Sequence, residues 1–414
     1  MAKPGSLARA AAAKAMTAVT KEQVMLRDVF ADLSLPPAEL ARAQRLATNA
    51  LRFAPRSDQL LGPHLRMKPE DEVMSLLRLA IYEINSGAPA HAAIDGAVDL
   101  ASKSKKGLIN AVLRNVQRTA TDWDSLGAPK MPKWLKKPLT KAWGKAAVEA
   151  MEAVHATEPP LDLTLKDATQ ADHWAKELGA TILPNGSLRL VKTGQVSNFP
   201  GFEDGAWWVQ DAGATVAAKL LDAQPGEMIL DLCAAPGGKT MQLTAAGSDV
   251  TALDISGPRL KRLEQNLQRT GHKANLVTTD ALHWEPEAQF DAILLDAPCS
   301  ATGTLRRHPD LAFAKDGNEL TALLPLQAAL IDRALTYLKP NGRLIYCTCS
   351  LFPDEGEAQI EAALERHALK STLPNAPWID PKWRTDLGLR LRPDHWAEIG
   401  GIDGFFIARL ENRA

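Results

Sequence analysis

The feature that most constrains the fold is a series of short apolar segments beyond Leu220, separated by helical patterns. The segments are EMILDLCAAPGGKT, DVTALDIS, ANLVTTDAL, FDAILLDAPCS and RLIYCTCS, and their spacing is typical of βαβ units. Parallel strands need long crossover connections, which are usually helical. The pattern therefore predicts a mostly parallel sheet covered by helices, with FFIARLE as a final strand.

The earlier part of the chain has apolar residues at three- and four-residue spacing, which indicates helices. The alanine-rich residues 1–20 are interpreted as a first helix rather than an organellar transit peptide. Pro159 and Pro160 mark a break, followed by the pattern strand, helix, strand, strand up to WWVQD. The predicted fold is multidomain: an all-α domain over 1–145, a small α+β subdomain over 146–210, and an α/β Rossmann-like domain over 211–414 with a mostly parallel seven-stranded sheet.

The 414 residues include only four cysteines, at positions 233, 299, 347 and 349. They form no CxxC pair and no His/Cys spacing suited to a metal, so no metal site is expected. They are also too few for a disulfide-built secreted protein, which favours reduced thiols in the cytoplasm. No apolar run approaches the roughly 18 to 20 residues of a membrane span. We therefore expect a cytoplasmic protein that does not engage a membrane.

The formal net charge of -1 conceals a strongly basic segment. Residues 101–145 contain eleven Lys and Arg side chains against two aspartates, a net of +9, which leaves -10 for the rest. Trp123, Trp134 and Trp143 are interspersed with these charges, and such a surface suits RNA phosphates with bases to stack on. A solvated helical face above buried tryptophans accounts for the same pattern. Charge alone leaves RNA binding open.

Residues at the carboxyl ends of the predicted strands are the candidates for ligand binding. The first strand leads into CAAPGGK, where Gly237 and Gly238 allow a ligand to approach the backbone. Asp254 ends the second strand and is placed to accept hydrogen bonds from a ribose. Asp280 follows the third strand, facing an adenine amino group, and Asp296 ends the fourth. One such aspartate alone would be read as a helix cap or turn former, but the series predicts a nucleoside site.

The turn after the first strand narrows the choice of cofactor. A dehydrogenase-like dinucleotide binder is the rival interpretation, but its usual GxGxxG spacing is missing. A nucleotide-binding P-loop would need a glycine where Cys233 stands. Acidic strand ends suit a cofactor without phosphates, so S-adenosyl-L-methionine fits better.

Cys299 and Cys349 follow the fourth and fifth strands and are expected to converge on one substrate. A thiolate near Asp296 and a methyl donor suggests methylation of cytosine at carbon 5, which is not nucleophilic in the free base. Thiolate addition to ring carbon 6, with an acid hydrogen-bonded to ring nitrogen 3, activates carbon 5. The target base must be unstacked to reach the thiolate. The residues alone do not decide which cysteine is the nucleophile.

Long, ordered motifs give nearly the whole chain a family resemblance. DLCAAPGGKT, DAPCSATGTLRRHPD, YCTCSLFPDE and GIDGFF resemble the Sun/Fmu (RsmB) branch of the Nol/Nop/Sun family of RNA 5-methylcytosine methyltransferases. EVMSLLRLAIYEIN, PAHAAIDGAVDLAS and GLINAVLRNV resemble the NusB-type RNA-binding domain that distinguishes this branch. The resemblance implies a class I methyltransferase fold, S-adenosyl-L-methionine as cofactor, and 16S ribosomal RNA as the substrate of a bacterial enzyme.

The resemblance also implies roles for individual residues. Asp254 and Asp280 hold the ribose and adenine, and Asp296 lies beside the methionine and the target base. Cys349, in the TCS motif, is the nucleophile, and Cys299, in the PCS motif, assists release of the methylated product. The other residues of the cofactor site form the turn after the first strand: Cys233, Ala234, Ala235, Pro236, Gly237, Gly238 and Lys239.

Two positions depart from the family motifs. Ala301 stands where glycine is common and is expected to tighten a turn, and Cys347 stands where serine is common and is interpreted as a packing residue. Arg306, Arg307 and His308 are expected to contact RNA, with capping and ion pairs as the alternative.

Two other functions remain open from the sequence. They are the same chemistry on a transfer RNA or another ribosomal RNA, and a non-catalytic NusB-like RNA-binding protein. We expect a monomer acting on unassembled or partly assembled 16S ribosomal RNA.

Overall fold

The computed structural model describes residues 5–119, 121–191 and 194–412. Its contacts divide the chain into two compact units. The helical unit comprises Met1–Glu158 and Leu305–Gly317, and the sheet unit comprises Pro159–Thr304 and Asn318–Ala414. The division into compact units falls after Glu158 and assigns residues 305–317 to the helical unit. It does not test the three predicted domain ranges, with boundaries after residues 145 and 210, and these stay predictions.

The helical unit contains α-helices and no β-strand among its described residues. Its helices before residue 159 are α1 (Ser6–Thr17), α2 (Leu26–Ala31), α3 (Pro37–Arg52), α4 (Ala54–Leu61), α5 (Asp71–Asn85), α6 (Ala90–Leu100), α7 (Lys106–Thr119), α8 (Lys133–Trp143) and α9 (Lys145–His155). The buried face of α1 is mostly alanine, which lets α3 and α5 pack closely against it. This architecture confirms the predicted all-α N-terminal domain.

Local sequence signals account for where several of these helices begin and how they are joined. Pro37 opens α3, where its fixed φ and missing N–H are tolerated. Asp71 and Glu72 lie in the first turn of α5, where negative charge complements the helix dipole. A largely buried ion pair joins α1 to α5, because Arg9 Nε lies 2.8 Å from Glu83 Oε2. The fold of this unit thus combines small apolar contacts with a few specific polar ties.

The sheet unit begins with a small antiparallel sheet of order β2-β3-β1-β4. Its elements are β1 (Leu161–Leu165), α10 (Ala171–Leu178), β2 (Thr181–Ile182), β3 (Leu188–Leu190) and β4 (Trp207–Val209). Leucines of β1 and β3 pack with Trp207 in one core. A buried, bidentate ion pair joins Asp162 to Arg189 with both contacts at 2.7 Å. The predicted small α+β segment is therefore present.

A second, larger sheet follows, with its strands in the order β10-β12-β9-β8-β5-β6-β7. In chain order its elements are α11 (Ala212–Leu221), β5 (Met228–Leu232), α12 (Gly238–Ala245), β6 (Asp249–Asp254), α13 (Gly257–Thr270), β7 (Asn275–Thr278), β8 (Phe290–Asp296), α14 (Leu311–Ala314, within the helical unit), α15 (Leu320–Thr336), β9 (Leu338–Thr348), α16 (Glu357–Arg366), β10 (Leu369–Ser371), β11 (Leu389–Leu391) and β12 (Phe405–Asn412). Strands β5 to β9 pair in parallel, and β10 to β12 are antiparallel additions.

The sheet confirms the predicted Rossmann-like architecture and refines two details. Seven strands form the predicted path, and β11 adds an eighth strand beside β12. Within the described residues no helix separates β7 from β8, so one of the expected helical crossovers is a turn. The chain runs outward from β5 to β7 and then resumes at β8 on the other side of β5. The carboxyl ends of β5 and β8 therefore flank the switch point, where ligands of such sheets bind.

Candidate active site

The turn that follows β5 contains the residues predicted to hold the cofactor. Cys233 has a φ of 60° and Gly237 a φ of 99°, after which α12 begins at Gly238. A Cβ on Gly237 would lie 2.6 Å from Leu263 Cγ, so only glycine fits there without displacing α13. Ala234 and Ala235 are buried, whereas Pro236 is exposed at the apex. The turn is thus tightly folded against the helices behind it.

Asp254 connects this turn to the next one. Its carboxylate accepts hydrogen bonds from Ala235 N at 3.1 Å and Ser256 N at 2.9 Å, and Arg259 Nη1 lies 3.4 Å away. The side chain is only 1% exposed. Each carboxylate oxygen has a second lone pair, so a ribose hydroxyl could still donate to it. In the structure itself, Asp254 holds two strand ends together.

Asp280 lies two residues beyond the end of β7. It accepts a hydrogen bond from Leu282 N at 2.9 Å and lies 3.1 Å from His283 Nδ1. These hydrogen bonds, chiefly the backbone one, lower the pKa of the Asp280 carboxyl. The carboxylate is 41% exposed. It is therefore accessible to a ligand while it also accepts the Leu282 N–H hydrogen bond that stabilises the turn after β7.

Asp296 ends β8 and pairs with two side chains. Its Oδ2 lies 2.6 Å from Lys239 Nζ, and its Oδ1 accepts from Cys347 Sγ at 3.4 Å. Burial alone would lower the pKa of the Lys239 ammonium, but Asp296 outweighs this and the pKa is raised overall. The Lys239 proton is therefore firmly held beside Asp296.

The two sulfurs predicted to converge, those of Cys299 and Cys349, lie 3.5 Å apart. A hydrogen bond with Cys349, together with burial, raises the pKa of the Cys299 thiol well above its usual range. Two thiols this close do not both ionise readily, because like charges at short range repel. At most one sulfur of this pair is therefore expected to react as a thiolate.

A buried carboxylate positions the loop that contains Cys299. Glu355 is fully buried, and its carboxylate accepts from Ser300 N at 2.9 Å and Gln327 Nε2 at 3.0 Å. Gln327 Nε2 also donates to Pro298 O at 2.8 Å. The residues on both sides of Cys299 are thus fixed by one hydrogen-bond network.

Backbone hydrogen bonds connect Cys349 to Gly303 and, through Gly303, to Gly404 near the carboxyl terminus. Gly303 N donates to Cys349 O at 2.9 Å, and Gly404 N donates to Gly303 O at 2.8 Å. A Cβ on Gly303 would lie 2.0 Å from Gly404 O, so the two backbones meet at a distance that only glycine permits. The GIDGFF motif, which contains Gly404, therefore supports the cysteine pair.

Residues outside the predicted site also lie in this region. Cys347 is completely buried in the core on the same sheet face as Cys349, and its thiol contacts Asp296. Glu355 and Gln327 were not predicted, although an acid in YCTCSLFPDE and a lone glutamine in an apolar helix were available signals. Ile255, directly after Asp254, is 70% exposed and offers an apolar surface that sequence reasoning did not single out.

Arg306, in the loop after Cys299, was expected to contact RNA. Its side chain is fully buried, so Arg306 presents no accessible surface to RNA and that expectation is wrong for this residue. Burial lowers the pKa of His308 to about 3, with neighbouring arginines adding to the effect. His308 is therefore neutral at physiological pH.

The basic segment of residues 101–145 lies in the helical unit, and none of its Lys or Arg side chains is buried. Five of them form ion pairs, including Lys130 and Lys136 with the buried Glu152. Trp123 packs its ring 5.8 Å from Phe53, so it supports the helical core. Among the described residues no helix is long and apolar enough to cross a membrane.

The residues at the sheet edge fit S-adenosylmethionine. The carboxylates of Asp254 and Asp280 are acceptors of the kind that hydroxyl and amino groups require, whereas the charge of Asp296 is paired with the Lys239 ammonium. Ile255 provides an apolar surface suited to an adenine ring.

Comparisons with known proteins agree with this architecture. A family model described as 16S rRNA methyltransferase RsmB/F matches residues 218–411, and a NusB family model matches residues 6–118. Ribosomal RNA small subunit methyltransferase B of Vibrio cholerae is 37% identical over 437 residues, covering 98% of this chain and 97% of that protein. The protein of the same name from Photorhabdus laumondii is 34% identical over 440 residues, covering 98% of each. The structure is also similar to the crystal structure of a methyltransferase homolog protein from Pyrococcus horikoshii, with a TM-score of 0.57 and 24% sequence identity. The match covers 76% of this chain and 100% of that one and shows that the two share a fold.

Together the fold, the sheet-edge residues and the matched models define an S-adenosylmethionine-dependent methyltransferase with an N-terminal NusB domain. More particularly, the chain belongs to the RsmB/F family of 16S rRNA methyltransferases, because both relatives cover nearly its whole length. The resemblance drawn from the motifs is thereby confirmed. The roles of individual site residues stay predictions.

Proposed function

We propose that this enzyme methylates carbon 5 of a specific cytosine in 16S ribosomal RNA through a covalent bond to Cys349. The observation that carries the proposal is the approach of the Cys299 and Cys349 sulfurs to 3.5 Å, at the carboxyl ends of neighbouring parallel strands. The relatives' names support ribosomal RNA of the small subunit as the substrate.

Cys349 acts first. Its thiolate adds to ring carbon 6 of the cytosine, forming a carbon–sulfur bond and shifting electron density to carbon 5. The pair of Asp296 and Lys239, held at 2.6 Å, hydrogen-bonds ring nitrogen 3 and stabilises the enamine-like ring. S-adenosylmethionine, when bound, would supply an electrophilic methyl group to carbon 5; its methyl–sulfur bond would break and S-adenosylhomocysteine would be the leaving group.

Release reverses the addition. The proton on carbon 5 leaves to a base in the surrounding solvent, the carbon–sulfur bond breaks, and its electron pair returns to Cys349. Cys299 keeps its proton because its pKa is raised, so it can donate a hydrogen bond to the departing sulfur. Glu355 contributes by positioning the loop on both sides of Cys299.

Single-cysteine variants test these roles. Cys349→Ala is expected to give neither 5-methylcytosine nor a denaturation-resistant protein–RNA adduct, because no thiolate attacks carbon 6. Cys299→Ala is expected to accumulate the adduct, because addition proceeds while release is slowed. The measurement uses labelled S-adenosylmethionine with 16S ribosomal RNA, and with transfer RNA as the comparison substrate.

The matched control is Cys233→Ala, which removes a thiol from the cofactor turn and leaves the cysteine pair intact. This variant should still form 5-methylcytosine and should not accumulate the protein–RNA adduct, whatever the effect of the substitution on cofactor affinity. Methylation by Cys349→Ala at the wild-type rate would contradict the assignment of the nucleophile.

A further inference from the structure

A cavity in the helical unit shares no residue with the site described above. Its volume is about 190 Å³, and its apolar walls include Leu51, Pro55, Met131, Leu305, Pro309 and Phe313. All of its lining residues belong to the helical unit. Since an apolar cavity of about 150 Å³ can hold a benzene molecule, this cavity has room for one heteroaromatic ring.

Arg52 lines the cavity as a buried cation whose charge is only partly offset by Glu158, which lies beyond ion-pair distance. It donates from Nε to Asn49 Oδ1 at 3.2 Å, and from Nη1 to the carbonyl oxygens of His155 and Arg306 at 3.1 and 2.7 Å. Burial lowers the pKa of Arg52 to about 10, which leaves it charged at neutral pH. Among the described residues no carboxylate forms an ion pair with it, and Nη2 has no acceptor. Such a group is costly to bury, and an acceptor on a ligand would satisfy it.

His155 lines the same cavity and is 7% exposed. Neither of its ring nitrogens has a hydrogen-bond partner in the part of the chain that the structure describes. Burial, reinforced by Arg52 and Arg306, lowers the pKa of His155 to about 3. The neutral ring therefore offers one N–H donor and one acceptor. Unsatisfied buried groups are uncommon in folded proteins, so this histidine calls for a partner.

Lysines lie on and directly after residues 129–132, which form one wall of the cavity. Lys130 lines the cavity and its side chain is 57% exposed. Lys133 and Lys137 follow on α8 and are exposed, and neither forms an ion pair with a described residue. Proteins commonly bind single-stranded RNA by placing a base against apolar or aromatic side chains and its phosphates against lysines. The cavity and its neighbouring lysines have this combination.

We propose that this cavity binds one unstacked nucleobase of the RNA substrate. The ring packs against Phe313 and Pro55, and a carbonyl oxygen of the base accepts from Arg52. Neither ring nitrogen of His155 is solvent-accessible in this structure, so the imidazole turns to bond to a second atom of the base edge. Guanine and uracil both present such a carbonyl oxygen. The proposal rests on the proposed function, since the occupant comes from the RNA that the enzyme methylates, and it adds a second base-binding position to the cytosine site.

Photo-crosslinking of the wild-type enzyme tests the proposal directly. The probe is a 16S RNA fragment in which 4-thiouridine or 6-thioguanosine replaces one nucleotide at a time, followed by proteolysis and mass spectrometry. At one position, crosslinked peptides are expected to contain Met131 or Phe313. Crosslinks that appear only on peptides without cavity residues would overturn the proposal.

A cavity-filling variant gives an independent measurement. Ala312 lines the cavity on α14, and Ala312→Phe would occupy the space of the base. RNA affinity is expected to fall about 5- to 150-fold, the range that loss of one stacked base produces. Ala41→Phe, on an exposed position of α3, is the control with the same chemical change. Thermal unfolding and S-adenosylmethionine affinity should match the wild type in both.

The outcomes separate the cavity from the chemistry. Wild-type RNA affinity in a folded Ala312→Phe enzyme would overturn the cavity assignment alone. If Ala312→Phe weakens RNA binding but the wild type produces a methylated base other than 5-methylcytosine, the cavity is supported and the proposed chemistry fails. If Ala312→Phe does not fold, the crosslinking of the wild type decides.

Discussion

Single residues determine the reactivity of the site through their environments. Cys347 and Cys349 are two residues apart, yet Cys347 is fully buried against Asp296, whereas Cys349 lies just past the end of β9 beside Cys299. Burial raises the pKa of Cys347 well above its usual range, with the nearby Asp296 charge adding to the effect. Cys347 therefore remains a protonated packing residue, as interpreted from the sequence.

Ala301 illustrates strain at a single residue. Its φ of 58° lies in the left-handed region, which costs an L-residue about 1–2 kcal/mol. Ala301→Gly is expected to raise the free energy of unfolding by about 0.5–1 kcal/mol, after allowing for the greater entropy of glycine in the unfolded chain. Urea denaturation of the two proteins measures the difference.

The control for this prediction is Ala288→Gly. Ala288 is exposed, lies outside helices and strands, and does not have a positive φ. The same exchange there should lower the free energy of unfolding by about 0.4–1 kcal/mol. Equal effects at both positions would contradict the argument from backbone strain.

At the scale of elements, the parallel strands bring acids together at one edge of the sheet. Asp231 lies inside β5, between β6, which ends at Asp254, and β8, which ends at Asp296. It is completely buried and accepts a hydrogen bond from Thr240 Oγ1 at 2.6 Å. Burial raises the pKa of Asp231 to about 7, and the charges of Asp296 and Asp254 add to this.

This shift predicts a pH dependence of stability. Because the folded-state pKa is raised, the stabilising contribution of protonated Asp231 is fully present below the unfolded pKa of about 4 and is lost as pH rises towards 7. Asp231→Asn stays neutral and lacks this loss. Between pH 4.5 and 8 the wild type should lose on the order of 3 kcal/mol of unfolding free energy relative to the variant, measured by urea denaturation.

Asp291→Asn is the control for Asp231. A hydrogen bond from Lys339 lowers the pKa of the Asp291 carboxyl, so its stabilising contribution is present above the unfolded pKa and is lost only as pH falls. Over the same pH interval the difference between wild type and Asp291→Asn should change little. A wild-type stability that rises with pH relative to Asp231→Asn would refute the assigned shift.

At the scale of the whole molecule, the helical unit carries a surface suited to RNA. Lys133, Lys137 and Lys141 lie four residues apart on one face of α8, are exposed, and form no ion pair with a described residue. Cations of this kind bind phosphates mainly by releasing counterions, so their contribution depends on salt. This face is the part of the basic segment most available to RNA.

Replacing Lys133, Lys137 and Lys141 together by glutamine should weaken RNA binding and flatten its salt dependence. For single-stranded RNA the slope of log K against log salt should become less steep by about 2, since each phosphate contact contributes roughly 0.7. Filter binding over a salt series measures the slope. The matched control also removes three positive charges, but from the sheet unit. It replaces three exposed lysines by glutamine: Lys176, Lys370 and Lys382. Identical slopes for the two triple variants would argue against this surface.

Much of the fold was predictable because its signals are local. The helical spacing before Pro159, the strands ending at Asp254 and Asp296, and the turn at Gly237 each depend on neighbours a few residues away. The motifs around Cys299 and Cys349 likewise identified the family. Strand β11 and the turn between β7 and β8 were missed because short segments lack a distinctive period.

The sequence by itself therefore determined the element types, the NusB and methyltransferase domains, and the residues at the strand ends. Only the tertiary structure decided that the Cys299 and Cys349 sulfurs touch, that Glu355 fixes the loop between Pro298 and Ser300, and that residues 305–317 join the helical unit. The reason is physical. Periodicity records which side of an element is buried, whereas contacts between residues fifty or more positions apart depend on how the elements pack, which no local pattern specifies.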